Sequence, residues 1–375
     1  MNMSSKKIHI AISARAMSLA YGGVREYVSS IICELMRIAH DHKITIYYDN
    51  PRFIGTHPEA NEVYIAAPHK FVWDHWLLPR HLAQDKPDIV WFPHNVSALG
   101  VDLPSVVSVM DLLYFRMPEF PVREYAWLDT FYMRTFIPRS LRQARRIMVI
   151  SNWTARDVNR LLGIPYEKLQ TIYLAPGSGF ERLPEQICTA VREKYGIDRP
   201  FFFYAGTLTA RKNVRVLIDA FGQVSNNLPH DLIITGGSGF IEIPFDDLVA
   251  KYKLNGRVKR LGIIPKLDLV ALYNTAEAFV FPSRYEGFGI PPLEAFACGC
   301  PVISSWATSL AEVVGDAALT FDPSDSIGLA AHLELVSKDS AIRSKLVQSG
   351  YERVKQFSYA RAAQELLELL KEAAP

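Results

Sequence analysis

Short apolar runs rich in β-branched and aromatic residues alternate with amphipathic helical segments along the whole chain. That alternation predicts an α/β protein with a parallel sheet in each of two halves. The 375 residues, 49% of them apolar, suffice for two domains with separate cores. Glycine-bearing loops stand between strand and helix at Tyr21-Gly22-Gly23-Val24 and around Gly287 and Gly289, where open α/β sheets bind ligands.

In the first half, strands read at Ile8–Ile12, Ile44–Tyr48, Ile89–Phe92, Val106–Val109, Ile147–Ile150 and Thr171–Tyr173, and helices at Val24–Ala39, Ala126–Gln143 and Asn152–Leu162. Leu174-Ala175-Pro176-Gly177 ends this domain, so residues 1–178 form one unit and 179–358 the other. The second begins with a helix near Gln186–Tyr195 and a strand at Phe201–Tyr204. Further helices read at Val214–Gln223, Leu267–Tyr273, Pro291–Cys298, Ser309–Val314 and Ser326–Ser337. No internal repeat or low-complexity tract interrupts the pattern.

Composition narrows the function classes. Residues 1–178 carry 20 Lys and Arg against 16 Asp and Glu, and residues 179–375 carry 21 against 23, so the halves are +4 and −2. Neither is basic enough to suggest nucleic acid. Cys33, Cys188, Cys298 and Cys300 have no metal-ligand spacing with nearby histidines, and reduced thiols imply a cytoplasmic home. The polar, basic opening residues lead into a strand without an apolar signal core, and no run of 18 apolar residues occurs. Arg116, Arg123, Arg134, Arg139, Arg142, Arg145 and Arg146 cluster with Tyr125, Trp127, Phe131, Tyr132, Met133 and Phe136. This mixture suits an anionic membrane surface, and equally a helix that packs its aromatic side inward.

The most informative segment is 279–305. Phe279–Phe281 reads as a buried parallel strand ended by Pro282. Gly287 and Gly289 let a ligand approach the main chain. Pro291 and Pro292, with φ preset, start a helix that Gly299 caps and Pro301 stops. Glu286 stands before the loop and Glu294 in the first helical turn, so both can face one site. Backbone N–H groups beside a helix start suit a phosphate or a polar sugar.

Glu286 and Glu294, with seven residues between them, resemble the paired-glutamate motif of the retaining glycosyltransferases of family 4. The likeness extends to Phe203-Tyr204-Ala205-Gly206-Thr207-Leu208-Thr209-Ala210-Arg211-Lys212-Asn213, which resembles the family's donor-phosphate loop. Leu232–Gly237, Val258–Gly262, Leu272-Tyr273 and Glu312–Ala318 resemble the strands and turns around it. The resemblance implies the GT-B fold: two Rossmann-like domains with parallel sheets facing across a cleft, and a last helix, Tyr359–Leu370, crossing back to the first domain. It also implies a nucleotide diphosphate sugar as co-substrate, no separate cofactor and no metal. Under it, Glu294 holds the ribose and Glu286 contacts the donor sugar. Gly206, Thr207 and the backbone of Gly287, Phe288, Gly289 and Ile290 line the donor site, with Arg211 and Lys212 on the diphosphate. Gly22 and Gly23 hold diphosphate or acceptor.

The chain departs from the family twice. Thr207 stands where many members have an arginine directly after the glycine, so Arg211 takes that role. Met110-Asp111 stands where many have His-Asp, and methionine is no proton carrier. His94 and Asp111 are the substitutes within reach, although His94-Asn95 also reads as a hydrogen-bonded turn pair. The resemblance thus implies hexosyl transfer with retention, with mannose from GDP-mannose the nearest match and a saccharide or lipid-linked saccharide as acceptor. A nucleotide-sugar epimerase of the same fold and a non-catalytic nucleotide-sugar-binding protein are the alternatives.

Overall fold

In the computed structural model, which describes residues 7–18, 23–116, 125–237 and 245–375, the chain forms two compact units. The first runs to Leu174 and includes Ser358–Pro375; the second is built on Ala175–Phe357. The chain changes unit after Leu174, four residues before the boundary read from the sequence.

The first unit holds seven strands: β1 (His9–Ser13), β2 (Lys43–Tyr48), β3 (Asn61–Tyr64), β4 (Ile89–Phe92), β5 (Ser105–Val109), β6 (Arg146–Val149) and β7 (Leu169–Thr171). They pair in the order β3-β2-β1-β4-β5-β6-β7, every neighbour parallel. Strands β4 and β5 are buried along their whole length, as expected where helices cover both faces. The helix Gly23–Ile38 turns Tyr27, Val28, Ile31, Ile32 and Leu35 inward, a spacing that makes one apolar stripe. The C-terminal helix Tyr359–Ala373 packs on it with a matching stripe that includes Ala363, Leu366 and Leu370.

The second unit holds β8 (Phe201–Ala205), β9 (Asp231–Thr235), β10 (Val258–Gly262), β11 (Ala278–Phe281), β12 (Val302–Ser305) and β13 (Leu319–Phe321). Their order is β10-β9-β8-β11-β12-β13, again all parallel. The helices Val214–Val224 and Ser326–Lys338 bury Leu217, Phe221, Leu333 and Val336 in one cluster with Phe202, Tyr204, Leu232 and Ile234. Each sheet therefore reverses its build direction once, between β1 and β4 and between β8 and β11. A crevice at the strands' carboxyl ends opens at such a point.

The structure adds elements that hydrophobic periodicity does not mark. β3 is an edge strand, Asn-Glu-Val-Tyr, with too few apolar residues to alternate. The helix Ser340–Val354 buries only Leu346 and Gly350, so it has no stripe, although Asp339 caps it by accepting from the Ile342 N–H at 3.0 Å. β7 lies two residues earlier than Thr171–Tyr173. The arginine-aromatic helix, Trp127–Gln143, divides its faces: Tyr132, Met133, Ile137 and Leu141 are buried, while Trp127, Leu128 and Phe131 are exposed. Arg123 lies outside the described residues.

His230 sits under the second sheet, stacked on Phe202 at 4.8 Å, with neither ring nitrogen hydrogen-bonded among the described residues. Burial, then the charges of Arg343 and Arg257, lowers its pKa from 6.5 to about 4 against the pull of Asp231. The unfolded chain therefore takes up this proton first. The stability is complete above pH 6.5 and is lost as pH falls toward 4. Replacing His230 by Gln is expected to flatten the fall of melting temperature across that window, read by thermal denaturation at a series of pH values.

Candidate active site

After β8 the chain turns at Gly206, whose N–H donates to the Thr235 carbonyl at 2.9 Å, while the Leu208 N–H donates to the Gly237 carbonyl at 3.1 Å. Gly236, at φ +133°, lies so close that a side chain there would run into the Gly206 carbonyl. Glycine is required at that approach. Thr207 is exposed; its carbonyl accepts from the Tyr204 hydroxyl at 3.0 Å. Asn213 adopts φ +57° and opens the helix Val214–Val224. Its buried amide donates to the carbonyls of Pro282 (3.0 Å) and Pro323 (2.7 Å). One side chain thus ties the loop after β8 to the ends of β11 and β13.

Across the β8–β11 reversal stands Glu286, 9% exposed. Arg211 Nη1 lies 3.1 Å from one carboxylate oxygen and Lys212 Nζ 2.8 Å from the other. Ser283 donates to the carboxylate at 2.5 Å. Arg211 also donates to the Tyr285 carbonyl at 3.0 Å, and its own carbonyl accepts from the Arg284 N–H at 2.9 Å. Burial alone would push the Glu286 carboxyl up, yet Lys212 and Arg211, with hydrogen bonds from Lys212 and Ser283, hold it below its ordinary value. The group is an anion at neutral pH, held between two cations. A cation pair at a helix start calls for a compensating anion; that anion is Glu286 itself, so the helix dipole alone no longer argues for an external one.

The loop that follows is fixed from behind. Thr308 Oγ1 accepts from the Glu286 N–H at 3.0 Å and donates to its carbonyl at 3.1 Å, and Ser309 donates to the carbonyls of Glu286 (2.9 Å) and Phe288 (2.8 Å). The Phe288 ring is buried against Phe357 at 5.8 Å, so only its backbone faces a ligand-binding role. Gly287 is buried, and Gly289 caps the helix Ile290–Ala297 at φ +107° with prolines in the first turn. Those prolines remove two of the four N–H groups a helix start normally offers, leaving Ile290 and Leu293. Glu294, half-buried, accepts from the fully buried Tyr273 hydroxyl at 3.2 Å. Burial, then the neighbouring Glu294 charge, raises Tyr273 far above a usual phenol, so it remains a donor.

In the first unit Gly23 opens its helix, and Gly22 lies outside the described residues. His94 follows β4. Burial, then the charges of Arg15 and Lys70, lowers it from 6.5 to about 4 against Asp129, so it is neutral at physiological pH. Asn95 does form the turn: at φ +53° its N–H donates to the Ser108 carbonyl (2.8 Å), and its side chain accepts from the Met110 N–H (2.9 Å). Asp111 accepts from the Leu113 N–H at 3.0 Å, starting the short helix Leu113–Arg116. Sequence reasoning missed Ser283, Tyr273, Thr308 and Ser309. Only Ser283, three residues before Glu286, stood close enough to suggest itself. Among the described residues no group of three His, Cys, Asp or Glu side chains could hold a metal, and no helix is long and apolar enough to cross a membrane.

Two all-parallel α/β units, one with two glutamates and two cations at its strand reversal, are what comparison with known proteins has to account for. The model for glycosyl transferases group 1 matches residues 189–353 and that for glycosyltransferase family 4 matches residues 21–175. The chain belongs to this glycosyltransferase family. It is 33% identical over 284 residues to the O-antigen chain mannosyltransferase B of Escherichia coli, covering 75% of this chain and 72% of that one. It is 28% identical over 253 residues to the serotype-specific mannosyltransferase WbdA of the same organism, covering 62% of this chain and 29% of that longer one. The fold matches Anabaena HepE, solved with UDP-glucose, at a TM-score of 0.76 and 17% identity over 97% of this chain and 100% of that one. The fold is GT-B.

Asn213→Ala strips the donor from two buried carbonyls and leaves a left-handed backbone without its amide. The expected cost is about 2–4 kcal/mol, read as a lowered urea midpoint with unchanged slope.

Proposed function

We propose that this protein is a retaining hexosyltransferase that moves mannose from GDP-mannose to a saccharide or lipid-linked saccharide in surface-polysaccharide synthesis. The observation that carries the reading is the ionised Glu286 held between Arg211 and Lys212 beside a glycine loop at the β8–β11 reversal. The family supports transfer from an activated sugar, and relatives named as O-antigen and serotype-specific mannosyltransferases favour mannose.

In this mechanism the nucleotide lies on the second unit, its ribose hydroxyls on Glu294, which Tyr273 orients. Arg211 and Lys212 face the diphosphate and draw it in. Negative charge builds on the leaving phosphate as the glycosidic bond breaks, so fixed cations favour the transition state over the bound donor. Glu286 positions both cations and meets the sugar near its reacting carbon. The acceptor hydroxyl attacks the face the phosphate leaves, and a phosphate oxygen takes its proton. Configuration is kept without a covalent carboxylate intermediate, unlike retaining hydrolases. The two cations serve in place of a divalent ion.

Catalysis at the inner face of the cell membrane fits a lipid-linked acceptor. Exposed Trp127, Leu128 and Phe131 beside Arg134 support peripheral binding there. Cosedimentation with anionic vesicles is expected to fall when Trp127 and Phe131 are both replaced by serine, and unchanged pelleting would remove this part of the reading.

Glu286→Ala is expected to lower turnover of GDP-mannose by more than about tenfold, because the two cations lose the carboxylate that positions them. Glu294→Ala should instead weaken nucleotide binding, seen as a smaller thermal shift with GDP. The wild-type rate should survive a chelator. Full transfer by both variants would refute the site assignment.

A further inference from the structure

We infer that Phe180 and Phe357, near the two places where the chain changes unit, are positioning residues for the candidate site. Phe180 sets Glu294 through Tyr273, and Phe357 sets the loop of Gly287 and Gly289 through Phe288. This rests on the transferase reading above and adds which side chains pass nucleotide occupancy to the two ends of the second unit.

The chain enters the second unit after Leu174 and leaves it after Phe357. On the way in, the Phe180 ring meets the fully buried Tyr273 ring edge to face at 6.1 Å, and the Lys266 ammonium lies 5.1 Å from its centre. The Leu183 N–H donates to Asn274 Oδ1, and the Asn274 amide donates to the Glu181 carbonyl, each at 2.9 Å. Arg182 donates to the Cys298 carbonyl at 3.2 Å. Tyr273 and Asn274 belong to the helix Lys266–Thr275, and Cys298 ends the helix that carries Glu294. Residues 180–183 therefore clamp together the two helices whose side chains meet in the Tyr273–Glu294 bond.

On the way out, the Phe357 ring meets Phe288 edge to face at 5.8 Å, and the Arg353 guanidinium lies 5.3 Å from the Phe357 ring centre. Arg353 also donates to the carbonyls of Val313 (2.9 Å) and Glu312, in the helix Leu310–Val314. That helix follows Ser309, which holds the Glu286 and Phe288 carbonyls. Leu310 packs so close to Gly289 that a Cβ there would lie 2.5 Å from its methyl carbon. The exit segment thus braces the loop through the Phe288 ring and through the helix behind it.

Core packing does not account for the entry tether. Phe180 is half-buried and follows the exposed Ser178 and Gly179, the latter at φ +80°. A ring so placed gains little by its own burial, yet it fixes the ring that holds Glu294. Packed side chains have few alternative arrangements, so a nucleotide that orders Tyr273 or Phe288 also restricts Phe180 or Phe357, and the reverse. The tethers reach different parts of the site: Phe180 acts on the ribose side and Phe357 on the sugar side. Their loss should therefore move different kinetic constants.

The test combines hydrogen exchange of residues 175–183 and 353–357, with and without GDP, with calorimetric GDP affinity and the kcat and KM for GDP-mannose. In the wild type, GDP should slow exchange in both segments. Phe180→Leu should weaken GDP about fivefold with little change in kcat, and abolish the protection of 175–183 alone. Phe180→Tyr, which keeps the ring, should restore both. Phe357→Leu should lower kcat about fivefold with a smaller change in GDP affinity, and abolish the protection of 353–357 alone. Two results overturn the inference while leaving the transferase reading in place: GDP bound by the wild type with no change of exchange in either segment, or leucine variants that lose only melting temperature. A wild type that binds no GDP overturns the GDP-mannose reading and this inference with it.

Discussion

Everything at the candidate site depends on one carboxylate held between two cations. Burying Glu286 alone would cost several kcal/mol or force it to take up a proton. Arg211 and Lys212 remove that penalty, and in doing so they fasten the loop after β8 to the loop after β11. Further bonds follow the same seam: Arg211 to the Tyr285 carbonyl, Arg284 N–H to the Arg211 carbonyl, Asn213 to Pro282 and Pro323. The loops are therefore set before any ligand arrives. In the proposed mechanism a diphosphate would meet cations already oriented, and their attraction for it would strengthen as the leaving group becomes more negative.

The two units repeat one topological device: each sheet reverses beside its first strand. In the second unit Arg211, Lys212 and Glu286 follow the flanking strands, and in the first Arg15 and His94 do. Fold alone does not distinguish the two reversal points; the side chains grafted on them do.

The strands and the glutamate loop were legible because buried parallel strands are continuous apolar runs and because proline and glycine mark the turns. Asn152–Leu162 is recovered to the residue, with Ser151 capping and Gly163 ending it. Of what escaped, β3 and Ser340–Val354 bury too little to show a period, while Leu78–Asp85 and Phe245–Lys251 are too short to show one although they bury apolar residues. The partners of the site are distant in sequence: Ser309 is 23 residues from Glu286, and Tyr273 is 21 from Glu294. A motif shows the groups that do chemistry and not the hydroxyls that hold them. Arg211 and Lys212 were legible as cations, but their partner was not, since Glu286 lies 74 residues beyond Lys212 in the chain.

Met110 poses the remaining chemical question, because a methionine stands where the family resemblance leads one to expect a histidine. Its N–H is held by Asn95 and its side chain is 6% exposed, so it serves packing and offers no proton site. His94 does not replace a strong base, since its lone pair is weakly basic at a pKa of about 4. Neither fact obstructs the front-face transfer proposed above. In that mechanism the departing phosphate oxygen becomes more basic as the bond lengthens and would take the proton of the attacking hydroxyl without help from the protein. His94, neutral at physiological pH, would then be asked only to accept a hydrogen bond.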